Sequence, residues 1–312
     1  MAHVAEPHPT SAEVVPGRRS RTATWRGERI DWSAYVFLAP FLLPFFVFNI
    51  AAIVFGAYIS LTEWGIVGDP IWVGLNNYIR AFSDPWILKV WRNTLQYGLT
   101  VIPIVTIAAL FFALYVNQKW PGYVLARTAF YAPYVTSITV MALVWVWILE
   151  TNFGMLNHYL SMVGIPKIPW LTNPNWVILS IAGATLWWSV GFHMVILLAG
   201  LQDIPPELKE AAQIDGANGW QTTISIIVPL LRPALSLVLT LEVIASLRVF
   251  GQIYLMTNGG PAGASASVVS YIFEQGFTRQ DLGYAAAISL MLFMTILLIT
   301  VVHMRVFRET TY

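Results

Sequence analysis

Six long apolar stretches constrain the fold of this chain more than any other feature, because each is long enough to cross a lipid bilayer. About 20 apolar helical residues span a hydrocarbon core of about 30 Å. The stretches cover residues 35–61, 93–116, 128–149, 176–201, 234–257 and 282–302. Charged residues make up only 11% of the chain, whereas soluble domains carry about 25%. The sequence therefore predicts an all-α polytopic membrane protein with six transmembrane helices.

The first 34 residues differ from the rest of the chain. They are rich in Pro, Ser, Thr and Arg and show no apolar period, which is typical of a disordered segment. The apolar stretch that follows is too long for the h-region of a signal peptide, so we interpret it as a retained transmembrane helix. The sequence thus divides into a basic tail at 1–34, a transmembrane domain at 35–308 and a short tail at 309–312.

The distribution of Lys and Arg predicts which side of the membrane each loop occupies. Placing the N terminus inside leaves eleven Lys and Arg residues in cytoplasmic segments and five in external ones. Cytoplasmic loops of membrane proteins carry an excess of these residues. We therefore expect both tails, and the loop at 202–233, to be cytoplasmic.

Several classes of function find no support in the sequence. There is no cysteine, the five histidines form no metal-ligand pattern, and no nucleophile is paired with a base. The net charge of +1 gives no reason to expect a nucleic-acid partner. No Gly-x-x-x-x-Gly-Lys phosphate loop occurs, so any ATP and Mg²⁺ used must be bound by a partner. The chain is expected neither to be an enzyme nor to carry a cofactor of its own.

The loop at 202–233 contains a predicted short helix. Pro205 and Pro206 suit the first positions of a helix, and Glu207 and Glu210 place negative charge near its positive end. Gly216 follows where a helix commonly ends in the left-handed conformation. Because about ten helical residues are marginal in water, we expect this helix to dock on another protein. The alternative is an amphipathic interfacial helix that only ends a membrane span.

The same loop carries a spaced motif: Glu210-Ala211-Ala212, then Gly216, then Ile226-Ile227-Val228-Pro229. This spacing resembles the EAA loop of ABC importer permeases, with Val228 in place of the usual leucine. In that family the loop is a coupling helix that sits in a cleft of the cytoplasmic ATPase. The resemblance implies an ABC type I importer permease fold with a cytoplasmic coupling helix. The residues that it assigns to ATPase coupling are Glu207, Glu210, Ala211, Ala212, Asp215 and Gly216.

Other stretches resemble the carbohydrate branch of these permeases, in particular the maltose-type first permease. They are residues 72–78, 93–95, 127–133, 198–205, 250–261 and 283–287. Gly251 departs from the pattern, because many relatives have aspartate at that position. The resemblance implies a complex in the lipid of a bacterial inner membrane. The partners that it implies are a second EAA-type permease, two cytoplasmic ABC ATPase subunits, an extracytoplasmic solute-binding protein and a carbohydrate substrate.

Some residues in or near the spans are of the types that hold sugars, by hydrogen bonds or by stacking on an aromatic face. The candidates for the substrate path are Trp187, Trp188, Glu242, Phe250, Gln252 and Tyr254. For the aromatic residues the alternative is helix packing or anchoring at the membrane surface. For Glu242 the alternative is a structural bond to a neighbouring helix, and His193 is expected to form an interhelical hydrogen bond.

Ionisable residues within the spans leave a second function open. Glu242 and Arg248 are of the type that an ion-coupled secondary transporter or a channel uses, and such a protein needs no ATPase. Among ATP-driven substrates, the sequence does not distinguish a sugar from a polyol or glycerol phosphate.

Overall fold

The computed structural model describes residues 32–65, 68–118 and 120–306. The two predicted tails therefore lie largely outside the described residues. Contacts divide the chain into two units, Met1–Ala52 and Ile53–Tyr312. In the first unit, helix α1 (Trp32–Phe45) is followed by a π-helical segment, Phe46–Ile50.

The remaining elements are almost all helical. The chain continues with α2 (Ala51–Ile59), the short antiparallel strands β1 (Thr62–Glu63) and β2 (Ile71–Trp72), and α3 (Asn76–Ser83). Next come α4 (Pro85–Asn117), α5 (Tyr123–Val135), α6 (Ile138–Ile148), α7 (Met155–Met162) and α8 (Val177–Gln202). They are followed by α9 (Pro206–Ile214), α10 (Gly219–Thr222), a π-helical segment (Thr223–Ile227), α11 (Val228–Leu230) and α12 (Arg232–Leu247). The last elements are α13 (Gly251–Thr257), α14 (Val268–Phe273), a π-helical segment (Glu274–Thr278) and α15 (Leu282–Val306).

Four of the predicted spans are single apolar helices. In the described residues they are Val36–Ile59, Pro85–Asn117, Val177–Gln202 and Leu282–Val306. Two further candidates are bent pairs of helices. In the predicted span 128–149, α5 and α6 meet at 99°, and the segment Gly219–Leu230, which was predicted to belong to the loop at 202–233, meets α12 at 69°. The count of six spans holds if each bent pair crosses the membrane once.

Two of the predicted spans are wrong as continuous helices, because each is interrupted within its predicted range. The stretch 128–149 is interrupted at Thr136 and Ser137, whose backbones are extended rather than helical. The stretch 234–257 is interrupted after Leu247, and Phe250 leaves the helical region with φ −141°. Neither break follows from a proline at the point of interruption.

Side chains from other segments bind carbonyl groups at both breaks. Trp188 Nε1 donates to the Thr136 carbonyl at 3.2 Å, and Ser267 Oγ donates to the Val249 carbonyl at 2.7 Å. Irregular backbone at membrane depth requires such partners, because lipid supplies none. Distant hydrogen-bond donors thus stabilise the backbone at both breaks.

Helix α8 packs between α4, α5 and α12 in the second unit. One apolar cluster along it includes Ile181 and Ala184, and another includes Met194 and Leu197. Gly191 permits a close approach to α5, because a Cβ atom there would collide with the Phe130 carbonyl. The middle of α8 is therefore fixed among three neighbouring helices.

The outer faces of the long helices are apolar and exposed. On α4, Leu99 is 76% exposed and Ile107 68%, and on α15 Leu298 is 64% exposed. Soluble monomers rarely expose contiguous apolar patches larger than a few hundred Å². Such faces are suited to contact with lipid or with another membrane subunit.

Candidate functional site

The predicted short helix in the loop at 202–233 is present as α9. Pro206 occupies its first turn and Glu207 supplies the acidic residue of that turn. Gly216 adopts a left-handed φ of 82°. Its N–H donates to the Gln213 carbonyl at 3.1 Å, and the N–H of Ala217 donates to the Ala212 carbonyl at 2.9 Å. These two bonds form a Schellman motif that closes the helix.

The residues predicted to couple to an ATPase do not all face outward. Ala212 is only 5% exposed and packs into this chain. The exposed members of the set are Glu207, Glu210, Ala211, Asp215 and Gly216. Ala212 thus belongs to the attachment of α9 to its own domain, and Ala211 to its outer face.

Two large apolar side chains beside this motif are also exposed, and the sequence analysis did not single them out. Ile214 is 86% exposed at the end of α9, and Trp220 is 73% exposed in α10. Leu208, Ala211 and Ile214 are spaced three residues apart, so they lie along one side of α9. Asn218 and Gln221 form a capping box that fixes the start of α10. The loop thus presents an apolar surface on two well-terminated helices.

A second site is a cavity of about 330 Å³ between α4, α5, α8, α12 and α13. Of the six residues predicted for a substrate path, Trp188, Glu242 and Gln252 line it. The other lining residues are Tyr97, Val101, Tyr134, Thr185, Ser189, Phe192, His193, Leu241, Ala245 and Ser246. Helix α8 and the broken span of α12 and α13 therefore bring half of the predicted set together.

The other three predicted residues lie elsewhere. Trp187 is 44% exposed and contacts the edge of Trp145, with 6.0 Å between ring centroids. Phe250 and Tyr254 stack on each other at 5.1 Å, and both also contact Phe273. These contacts correspond to the helix-packing alternative.

Three aromatic rings form one wall of the cavity. Tyr134 stacks on Phe192 with 4.6 Å between centroids and 15° between planes, and it lies 5.4 Å from Trp188. Tyr134 and Phe192 were missed from sequence. Trp188 and Phe192 are four residues apart and so share a face of α8. That spacing could have identified Phe192 from the sequence. Tyr134 comes from α5, and only the fold places it between them.

Glu242 and His193 form the polar centre of the cavity. Glu242 is 3% and His193 4% exposed, and Glu242 Oε1 lies 3.1 Å from His193 Nε2. His193 Nδ1 lies 3.0 Å from the Ser189 carbonyl, which can only accept, so Nδ1 carries a hydrogen. The contact between Nε2 and Oε1 then needs one shared proton, on either partner. The pair is therefore neutral overall, and it joins α8 to α12 as expected for an interhelical bond.

Arg248 does not lie in the middle of a span. It is the C-terminal cap of α12 and is exposed. Its placement within the predicted span 234–257 required a helix that continued to Thr257, whereas α12 ends at Leu247. The helix break removes the reason to place it in a translocation path.

A polar cluster joins the N-terminal end of α4 to the last two helices. Asp84 caps α4 by accepting from the Trp86 N–H, and it accepts from Tyr271 Oη at 2.7 Å and from Tyr284 Oη at 2.8 Å. Arg80 lies 3.9 Å above the Tyr284 ring and pairs with Asp281 at 2.7 Å. Partial burial opposes ionisation of Asp84, but the three hydrogen bonds and the charge of Arg80 outweigh it and lower the pKa of Asp84.

Comparison with known proteins decides the class of the chain. A model of the family of binding-protein-dependent transport system inner membrane components matches residues 105–308. The chain belongs to this family. It is therefore a transmembrane permease of an ABC importer, a transport component rather than an enzyme. The ion-coupled secondary transporter that Glu242 and Arg248 left open does not describe it.

Individual relatives match over most of their length. The chain is 34% identical to the trehalose/maltose transport system permease protein of Thermococcus litoralis over 88% of this chain and 93% of the relative. It is 29% identical to the sulfoquinovosyl glycerol transport system permease protein of Agrobacterium fabrum, over 97% and 99%. It is 30% identical to the arabinooligosaccharides transport system permease protein of Bacillus subtilis, over 87% of each.

A solved structure shares the fold. It is a bacterial ABC transporter involved in the import of the acidic polysaccharide alginate, with a TM-score of 0.81 and 24% sequence identity. The match covers 90% of this chain and 97% of the other. The all-α permease fold predicted from sequence is therefore confirmed.

Proposed function

We propose that this chain is one of two permease subunits of an ATP-driven carbohydrate importer in a bacterial inner membrane. The observation that carries the proposal is the exposed helix α9, which ends in a Schellman motif at the glycine of the EAA loop. A nine-residue helix is marginal alone, so a helix held outside the spans with an exposed apolar side is suited to a partner protein. The partner is a cytoplasmic ABC ATPase, which binds the ATP and Mg²⁺.

The division of residues on α9 supports a role in transmitting movement. Ala212 and Ile204 are buried and tie the loop to its own domain. Glu207, Glu210, Ala211 and Asp215 remain for the ATPase. Closure of the ATPase dimer would displace α9 as a rigid element and so reorient the membrane helices attached to it.

A carbohydrate substrate is supported by two independent observations. Relatives are named for trehalose and maltose and for arabinooligosaccharides. The cavity beside α8 combines an aromatic wall with hydrogen-bonding side chains, which is how proteins hold sugars. An extracytoplasmic binding protein delivers the sugar, and the second permease completes the path.

Co-purification tests the assignment to an ATPase complex. The tagged chain, expressed with its native partner genes, is expected to retain a phosphate-loop ATPase. Ala211→Arg, which adds a long charged side chain to the outer face of α9, is expected to release the ATPase while the spans still insert. Asn175→Arg, an exposed position in a loop predicted to be external, is the matched control and should retain the ATPase. Purification of the wild-type chain without any ATPase contradicts the proposal.

A further inference from the structure

We propose that the cavity beside α8 takes uncharged carbohydrate and rejects sugars that carry a carboxylate, sulfonate or phosphate. The inference rests on the proposed function and specifies its substrate class. It follows from the charge, the free hydrogen-bonding groups and the aromatic wall of the cavity.

The cavity holds no net positive charge. No Lys or Arg is among its lining residues. His193 is the one lining side chain that can become a cation, and both its ring nitrogens are engaged, one by the Ser189 carbonyl and one by Glu242. The shared proton leaves the His193–Glu242 pair neutral. An anionic sugar would lose water on entering this cavity, and no net positive charge there would offset that cost.

The hydrogen-bonding groups that remain free suit hydroxyl groups. Ser189 is 5% exposed, and its Oγ has no hydrogen-bond partner in the part of the chain that the structure describes. The Gln252 side chain lines the same cavity without a hydrogen bond among the described residues. Only Oε1 of Glu242 contacts His193, so Oε2 is left for a ligand. Together these groups can both donate and accept hydrogen bonds, and so they complement sugar hydroxyl groups, which also do both.

The aromatic wall gives an uncharged sugar its apolar contact. Tyr134, Trp188 and Phe192 form a continuous ring surface on one side of the cavity. Aromatic faces bind the apolar C–H face of a pyranose or furanose ring without requiring a charge. The cavity therefore offers stacking on one side and neutral hydrogen bonding on the other.

Cationic side chains on α4 line a different cavity. Lys89 and Arg92 face a space of about 640 Å³ that also contains Gln96. Lys89 Nζ already donates to the Ala262 carbonyl at 2.6 Å. The next residue after Gln96, Tyr97, faces the cavity beside α8 and hydrogen-bonds Thr185 there. Positive charge is thus absent from the cavity that holds the aromatic wall.

The test uses the purified complex of both permeases and the ATPase, with the binding protein omitted so that its own selectivity does not enter. Probes are neutral mono- to tetrasaccharides and their uronic-acid counterparts, and tryptophan fluorescence reports binding. We expect neutral probes to bind and matched uronic acids to bind at least tenfold more weakly. Uronic acids that bind as tightly as the neutral probes overturn the inference.

Adding a positive charge to the cavity by substitution tests whether its lack of cationic side chains causes the selectivity. Gln252→Arg is expected to shift the affinity ratio by at least tenfold toward the uronic acids. Gln252→Met, which removes the amide without adding charge, should weaken the binding of neutral probes without shifting the affinity ratio toward the uronic acids. Gln96→Arg adds the same charge in the other cavity and should leave the ratio unchanged. An unchanged ratio in Gln252→Arg, with neutral probes still bound, contradicts the inference.

Failure of the proposed function gives a different result. In that case no probe of either class binds, or proteoliposomes that contain the whole transporter take up no sugar with ATP. That outcome overturns both proposals, whereas ATP-driven uptake of anionic sugars overturns only the substrate class.

Discussion

His193 and Glu242 show how two ionisable residues are accommodated inside apolar helices. Insertion scales put a lone charge near mid-bilayer at roughly 2.5–3.5 kcal/mol. Sharing one proton across the 3.1 Å contact avoids that cost. The same contact makes each residue depend on the other, because either one alone leaves a buried polar group.

Truncating one partner of this pair is expected to cost more than truncating both. Glu242→Leu leaves His193 Nε2 buried and unpaired, which costs about 1–3 kcal/mol. The double variant His193→Leu/Glu242→Leu is expected to recover part of this loss, with a coupling of about 0.5–3 kcal/mol. Glu242→Gln keeps a donor for Nε2 and serves as the mild control. Thermal unfolding in detergent of the wild type, Glu242→Leu, His193→Leu and the double variant measures the coupling, and strictly additive losses would argue against the pair.

Asp84 gives the polar cluster at the N-terminal end of α4 a dependence on pH. The folded state lowers the pKa of Asp84 below its usual value of 3.8, so ionisation of Asp84 stabilises the fold at pH values above 3.8. This contribution is lost as the pH falls through the lowered pKa. We expect Asp84→Asn to be destabilised at neutral pH, and the gap to the wild type to narrow at pH below about 4. Melting temperatures of both proteins between pH 7 and pH 3 check this, and a gap that widens toward acid contradicts it.

At the scale of elements, local signals in the sequence predict α9 and its end but not the bends. Pro206, Glu207 and Gly216 each act on backbone within a few residues, so their effects are readable from sequence. The break at Thr136 depends on Trp188, which is 52 positions away, and the break at Val249 on Ser267. An apolar run has the same composition whether its helix is straight or bent. For the same reason Trp188 and Gln252 are found by residue type, whereas Tyr134 is found only from the fold.

Two glycines that follow α9 differ in backbone conformation but not in the space around them. A Cβ at either Gly216 or Gly219 meets nothing within 4 Å, but only Gly216 has a positive φ, of 82°. Gly216→Ala is therefore expected to cost about 1–2 kcal/mol locally, to loosen the end of α9 and to reduce ATP-driven uptake several-fold. Gly219→Ala is expected to transport normally. Uptake by right-side-out vesicles measures both, and equal activities would remove Gly216 from the coupling role.

At the scale of the whole molecule, the apolar outer faces describe a multi-pass membrane subunit, and the distribution of Lys and Arg predicts its orientation. The composition predicts the class, since 57% hydrophobic residues require a nonaqueous surrounding for the exposed helix faces. It does not predict which exposed face meets lipid and which meets the second permease.

Reporter fusions test the orientation. Fusions after Gly219 and at the C terminus are expected to report the cytoplasm, and a fusion after Ala262 the outside, because eleven of the sixteen Lys and Arg residues outside the predicted spans fall on the cytoplasmic side in this arrangement. An outside result at Gly219 would place α9 away from any ATPase.

The source of energy for uptake is the most direct test of whether this chain belongs to an ATP-driven importer. Proteoliposomes that contain the complete transporter and its binding protein are loaded with ATP, and the proton and sodium gradients are then dissipated with ionophores. For an ATP-driven importer, we expect sugar uptake to continue at its full rate with ATP and no gradient. We expect it to stop without ATP, even when a gradient is present. Uptake that collapses with the gradient at constant ATP would contradict it.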